Sequence, residues 1–589
     1  MKTAINILPK IVSDLAMTHA LLNCLIKEYA LPNQDIQYQW PEKKDELDTD
    51  SHLSELSRKA TPMLITLPKN TQIFVLVDRK NSIGTQRYLS NVYLKNEPKG
   101  WTHYPFKELA NIILEAYSSH GTANNQELHE QINSSRNLVE TILTFHGKNP
   151  PPHPFSSYIA SEQSLWFGHP SHPAPKARVW PDSIPQEEVT PEFQASTSLY
   201  QFEVPENGLC IQTNSLSNVD AINALASQAS ATERYAIIAM HPVQAEQIKK
   251  DTRMQRLLHS GEVRDLGLSG YSAAPTASIR TWYLEDMPYF IKGSLNIRIT
   301  NCVRKNSWYE LESTLLIDKL FSHIMKQNPS AFRGAMIAAE PAVLSWMPEN
   351  ASEEDKVWFK EQTSVILREN FCSTNPETQF AIAATAFARD HQLKPMIGAL
   401  IGQDATKKER LDWFKKYQQL LIQPVLSLFF DYGIVTEPHL QNTVFAHNDG
   451  TPTSLLLRDF EGVKLTDDIG IHHVNTPLNP KVKDALIYSR HKGWQRISYC
   501  LFINNISEAI LSLTWDAPEL ERIMWDMVKS ELINLKSSLS RPAPEIDELI
   551  ATGEVACKCN FKVRLAAQAD KQVQYAPLTA PWSKEVVYA

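Results

Sequence analysis

The run Asn149-Pro150-Pro151-Pro152-His153-Pro154 constrains this chain more than any other six residues. Four prolines fix φ and remove amide donors, so neither a helix nor an interior strand can pass through. The chain therefore divides near residue 155. At 589 residues it also exceeds what one hydrophobic core usually serves, and two to four structural units are expected. A second boundary is placed where the apolar pattern becomes loop-like and then charged, around Gln392 to Lys408. The expected units are 1–155, 156–395 and 396–589.

Strand-like and helix-like patterns mix throughout. Ile11 to Tyr29 and Glu127 to Phe145 read as helices, and Met63 to Leu67, Gln72 to Val77 and Tyr88 to Leu94 as strands. Tyr235 to Met240 is a short apolar strand, and Tyr289 to Thr300 alternates around Gly293. Leu311 to Lys326 and Leu411 to Tyr432 are helical, the latter bent or broken around Pro424. Thr443 to Ala446 and Ser454 to Leu457 form a hairpin across Asp449-Gly450. Helices dominate from Ala485 to Leu539. The fold class is α+β, with mixed or antiparallel sheets and a helical C-terminal part.

The formal charge of −8 argues against a general nucleic-acid binder but leaves room for a local basic pocket. No apolar run reaches the roughly 20 residues that span a bilayer. The start Met1-Lys2-Thr3-Ala4-Ile5-Asn6 hints at a signal sequence, but Asp14 interrupts the apolar stretch that follows. Cytoplasmic residence is expected. The seven cysteines, Cys557 and Cys559 included, lack zinc-ligand spacing and are expected to be reduced thiols.

Four clusters could carry chemistry. The first is Gly168-His169-Pro170-Ser171-His172-Pro173-Ala174-Pro175-Lys176-Ala177-Arg178, a stiff loop projecting imidazoles and cations. The second is Ser278-Ile279-Arg280-Thr281 with Lys292, Thr300 and Arg304. In a strand Ser278 and Arg280 would share a face, and three cations with hydroxyls could hold a triphosphate. The third is Glu437-Pro438-His439-Leu440-Gln441-Asn442 followed by Arg458-Asp459-Phe460-Glu461-Gly462. Alternation in an extended segment would aim Glu437, His439 and Gln441 one way, while Asn442 braces the turn. Asp459, ending a strand, is placed for magnesium, and Arg458 is read as structural. The fourth, Lys558 to Leu565, reads as a basic strand whose Lys558 and Arg564 suit a carboxylate. Taken singly, each is also compatible with an ordinary solvated loop, sheet face or strand.

Taken in order from residue 155 to 565, these clusters resemble the IucA/IucC family of siderophore synthetases, which act without nonribosomal peptide synthetases. Pro438 stands where the family usually has alanine, and cysteines flank Lys558. The resemblance implies a thumb–fingers–palm architecture: a thumb-like 1–155, fingers 156–395 and palm 396–589. It implies ATP- and Mg2+-dependent adenylation of a carboxylate, commonly citrate, then attack by a polyamine, amino acid or hydroxyl nucleophile with release of AMP. His169, Lys176, Ser278, Arg280, Thr281, Lys292, Thr300, Gln441 and Asn442 would hold ATP. Glu437, Gln441 and Asp459 would serve the metal. Arg304 and His439 would be catalytic and touch the carboxylate, with Lys558 and Arg564 beside them. Free citrate is favoured over a half-amide, and homodimers are common in the family.

Two other readings stay open. His439-x-x-Asn442 followed by Asp459-Phe460-Glu461 echoes the metal loops of kinase-like phosphotransferases, though without a glycine-rich phosphate loop. A non-catalytic nucleotide-binding protein of the same fold is the other.

Overall fold

The computed structural model describes residues 8–42, 47, 51–56, 58–96, 100–118, 125–225, 231–300, 302–475, 477–568 and 574–583. The reading of Met1 to Asn6 lies outside these residues.

The helix Pro9–Leu25 continues as a π-helical turn, Ile26–Ala30, and packs with the helices Phe106–Tyr117 and Gln126–Lys148. These helices share an apolar core with one face of a five-stranded antiparallel sheet. Gln72–Val77 forms as expected, whereas the Tyr88 to Leu94 reading shrinks to an isolated bridge at Tyr88 and the strand Tyr93–Asn96. No helix or strand crosses the proline run.

Next comes an eight-stranded antiparallel sheet. Its centre juxtaposes Val365–Glu369, Tyr289–Gly293 and Thr281–Tyr283. Lys292 pairs with Thr281 on one side and Ile366 on the other, and Phe290 pairs with Arg368. Side chains two apart on a strand share a face, so Lys292 and Arg368 project together. Tyr289 to Thr300 is thus two strands rather than one, Tyr289–Gly293 and Leu295–Ile299, and the second closes a hairpin with Cys302–Arg304.

The last third is built on Lys407–Tyr432, started by a Thr406/Glu409 capping box and ended by Gly433 in the left-handed region. Pro424 is accommodated within it. It packs on the hairpin Val444–Asn448/Thr451–Leu457, whose Asp449 (φ 46°) and Gly450 (φ 80°) make the expected tight turn. The helix Arg490–Ser498 runs into a second π-helical segment, Tyr499–Ile506. Such segments interrupt the regular ladder and frequently mark functional positions. Among the described residues no helix is long and apolar enough to cross a membrane.

Two local expectations fail. Ser278 and Arg280 sit in a turn between strands, where Ile279 has φ 67°, and not on a strand. Lys558 ends the strand Glu554–Lys558, and the following residues form a helix, Asn560–Leu565. The tertiary reason for the second is Glu28, whose carboxylate accepts from the Phe561 and Lys562 amides at 2.9 and 2.8 Å. It thereby binds the new helix's free N-terminal donors.

Candidate active site

The motif Arg458-Asp459-Phe460-Glu461-Gly462 is held by its own buried residues and by the space its glycine leaves. Phe460 is buried in an edge contact 5.0 Å from Phe321, and its amide donates to Glu340 at 3.0 Å. These two anchors hold Asp459 at φ 71°, a conformation that side chains other than glycine rarely adopt. Gly462 has no Cβ because one would sit 2.3 Å from Glu437 Oε2. The glycine therefore lets the two acidic motifs close on each other.

The cations of the central sheet meet this loop. Lys292 pairs with Asp459 and, at 2.9 Å, with Glu461. Arg280 reaches Glu461 at 2.8 Å and the Arg304 carbonyl at 3.3 Å. Arg368 donates to Glu340 at 2.8 Å and to Asp459 at 3.2 Å. Burial alone would raise both loop carboxylates. Lys292 and Arg368 outweigh it at Asp459, holding that group well below the usual range, and Arg280 with Lys292 brings Glu461 to about 2. Burial likewise opposes the charge on Lys292, but Asp459 and Glu461 raise it above the ordinary lysine value.

Arg458 has the structural role expected of it. It grips Glu162 at 2.5 Å, the Tyr158 hydroxyl and the Gln441 carbonyl. Glu162 also accepts from the Ala277 amide at 3.0 Å. One fully buried carboxylate thus ties the Ser278 turn, the Gln441 loop and the Asp459 loop together.

His439 does not continue an extended segment. Its carbonyl accepts from the Asn442 amide at 3.0 Å, which turns the chain, so Gln441 does not alternate with Glu437. His439 Nδ1 accepts from the Asn442 amide at 3.3 Å, which leaves the ring proton on Nε2. Burial lowers its pKa, and Glu437 only partly offsets this. The π-helical segment braces the loop: Asn504 accepts from the Leu440 amide at 2.9 Å, and Asn505 donates to the Pro438 carbonyl and Thr443 hydroxyl, each at 3.0 Å. Asn504 Nδ2 also meets His169 Nε2 at 2.6 Å. His169 is kept neutral by burial, with His172 and Lys27 adding to the effect. Lys558, Lys27 and His169 line one small cavity.

Gly168 (φ 76°) makes the tight entry read from the sequence, since a Cβ would lie 2.9 Å from the Pro175 carbonyl. The cations that follow are held elsewhere. Lys176 and Arg178 both clasp Glu192, at 2.7 and 3.2 Å, and Arg564 clasps Glu127 and Gln131 at 3.0 and 2.9 Å. Ser278 donates to the Thr281 hydroxyl at 2.8 Å. Thr300 sits at φ 55° in the hairpin turn. Among the described residues, Arg304 and Lys558 have no carboxylate partner.

Sequence reasoning missed Arg368, Glu340, Glu162 and Arg496. Arg496 grips Glu437 at 2.8 Å, and although burial raises the carboxyl, this pairing holds it below its usual value. It also missed Lys464, which burial and then Arg496 lower to about 8. Only the excess of buried charge in otherwise apolar segments signalled any of them.

Asp459, Glu461 and Glu437 are ionised hard-oxygen donors, the chemistry that suits Mg2+. Among the described residues no three His, Cys, Asp or Glu side chains converge in metal-binding geometry. The carboxylates face Lys292, Arg280 and Arg496 instead.

The fold is shared with proteins of known structure. It superposes on ATP-bound aerobactin synthetase IucA from Klebsiella pneumoniae with a TM-score of 0.80 at 18% identity, covering 97% of this chain and 100% of that one. The petrobactin biosynthesis protein AsbB of Bacillus anthracis gives 0.74 at 18% identity over 98% and 96%. In sequence, residues 157–388 match the IucA / IucC family model and residues 411–573 the model described as ferric iron reductase FhuF-like transporter. The rhizobactin siderophore biosynthesis protein RhbC of Rhizobium meliloti is 26% identical over 581 residues, 93% of this chain and 92% of that protein. The L-2,3-diaminopropanoate–citrate ligase of Staphylococcus aureus is 24% identical over 82% of this chain and 85% of its own length. The IucA / IucC match, residues 157–388, takes in Arg280, Lys292, Arg304 and Arg368.

Proposed function

We propose that this protein is an ATP-dependent ligase of siderophore biosynthesis that adenylates a carboxylate, free citrate foremost, and passes the acyl group to an amine. The observation that carries this reading is the meeting of Arg280 and Lys292 with Asp459 and Glu461, from segments more than 160 residues apart. Among the described residues, Arg304 and Lys558 have no carboxylate partner.

A triphosphate carries the charge that Lys292 and Arg280 now find on Glu461 and Asp459. Phosphate oxygens replace those carboxylates as partners of the cations. Asp459 and Glu461 would then be free to hold Mg2+ together with the Gln441 amide and, once released from Arg496, Glu437; the ion would neutralise phosphate charge. Arg304 and Lys558 receive the carboxylate substrate. Its oxygen attacks the α-phosphorus, the bond to the β-phosphate breaks and pyrophosphate leaves. The His439 Nε2 proton and Arg304 stabilise charge growing on the α-phosphate. An amine nitrogen then attacks the acyl carbon, the acyl–oxygen bond breaks, AMP leaves and the amine gives up a proton. We also assign residues 1–155, 156–395 and 396–589 to thumb, fingers and palm, and place the reaction in the cytoplasm, where ATP is supplied.

The test incubates the protein with ATP, Mg2+, citrate and a panel of amines. AMP and pyrophosphate are the expected products. Arg304→Ala and His439→Ala are expected to fold and lose turnover. ADP in place of AMP favours the phosphotransferase reading, and no ATP consumption across all carboxylates and amines rejects the ligase.

A further inference from the structure

A groove of about 590 Å3 opens between the helices Arg490–Ser498 and Pro544–Thr552 and the hairpin Glu554–Lys558/Tyr575–Thr579. That size falls in the range of small-molecule sites. Its walls present two aromatic rings, Trp494 and Tyr575, and three carboxylates, Glu545, Glu548 and Glu554, against one guanidinium. That guanidinium, Arg490, is already engaged by Glu545 at 2.5 and 3.1 Å and by Asp468 at 3.0 Å. Glu548 and Glu554 are exposed, and among the described residues neither has an ion pair.

The groove borders the candidate active site. Gln495 and Ser498 line it, and the residues after them, Arg496 and Tyr499, face inward to Glu437 and His169. Tyr575 packs edge-on against Tyr499, with ring centroids 6.5 Å apart. Tyr575 therefore belongs to the wall between the groove and the pocket, while Trp494 packs against Phe429 and Phe430. The charge pattern changes sign across that wall: Lys558, which among the described residues has no ion pair, lies on the pocket side, and Glu548 and Glu554 lie on the groove side.

We propose that this groove is the acceptor subsite and that it selects an amine carrying a second positive charge, a diamine or polyamine. This rests on the ligase reading above. Carboxylates without partners and aromatic faces recognise an ammonium group, and they repel citrate and nucleotide from the same space. Glu548 and Glu554 anchor the distal ammonium while the proximal nitrogen reaches past Tyr575 toward the acyl carbon. Anchoring one end leaves only the other free to react, so a symmetric diamine is acylated once.

Calorimetry with spermidine as the probe, without ATP, tests this on the full chain. The wild-type protein is expected to bind it, and the variant E548Q/E554Q to bind at least tenfold more weakly. A control pair on a separate exposed helix, E353Q/E354Q, is expected to leave the affinity unchanged. Equal affinity in wild type and E548Q/E554Q, an equal drop in the control pair, or no binding at all overturns the proposal. Citrate-dependent exchange of pyrophosphate into ATP, measured on wild type alone, reports separately on the ligase reading. Its absence rejects adenylation, while the spermidine titration still decides what the groove binds.

Discussion

Two seams of this molecule bury carboxylates and drive them in opposite directions. At the candidate active site, Asp459 and Glu461 meet Lys292, Arg280 and Arg368, and their pKa values fall, to about 2 for Glu461. Where the N-terminal helices meet the C-terminal hairpin, Glu28 has two backbone amides as hydrogen-bond partners, and burial dominates, raising it to about 7. Amide dipoles offset less of the desolvation than full cations do. The first seam is an ionised site whose carboxylates are held by cations. The second is a joint whose strength depends on a proton.

The sharpest way to break the first seam is Glu162→Gln, which leaves Arg458 buried without its counter-ion. Losing one partner of a buried pair costs about 3–5 kcal/mol, so denaturant unfolding is expected to show a loss of that order. A variant as stable as wild type would mean that Glu162 does not hold the three loops together.

Lys292→Ala tests the site itself. Removing one positioned donor to developing charge lowers turnover by about 10²–10³. A fall of that size in AMP release with near-normal stability is expected, since Arg368 and Arg280 still face Asp459 and Glu461. A loss confined to stability would reduce the pair to scaffolding.

The second seam gives a pH signature of opposite sign. Glu28 moves from an ordinary 4.5 to about 7 in the folded state, so between those values the folded protein holds the extra proton. Stability therefore falls as pH rises from 4.5 to 7 and levels off above. The span is about 3 kcal/mol at the exchange rate for that shift. Unfolding of Glu28→Gln across this range is expected to lose that slope. At the active site Glu461 contributes stability above pH 4.5 that disappears as the pH falls toward 2, so Glu461→Gln should change only the acid limb. A single shared slope would erase the distinction between the seams.

The smallest effect is expected from Gly168→Ala. The left-handed φ and the 2.9 Å approach to the Pro175 carbonyl predict a loss of about 1–3 kcal/mol, with a raised KM for ATP through a displaced His169. An unchanged melting temperature would show that the loop relaxes freely.

Much of the local structure was legible. Asp449-Gly450 announced its hairpin, and Gln72 to Val77 and Tyr235 to Met240 formed at the expected bounds, because β-branched runs and left-handed turns obey local sterics. The conversion of Lys562 and Arg564 from strand to helix was not legible. It depends on Glu28, more than 500 residues away. Arg564 is drawn to Glu127 and Lys176 to Glu192, partners that no spacing rule announces. The two π-helical segments were equally hidden, since what they brace lies elsewhere in the chain: the start of the Asn560–Leu565 helix for Glu28 and the Leu440 loop for Asn504.

By itself the sequence determined the proline break, the order of the motifs and the residue types that nucleotide and carboxylate chemistry demand, because these follow from backbone sterics and charge near each residue. Tertiary structure alone decided which cations face Asp459 and Glu461, which stay unpartnered, and that Gly462 makes room for Glu437. Those outcomes are settled by burial and Coulomb contact between segments far apart in the chain, where local pattern carries no information.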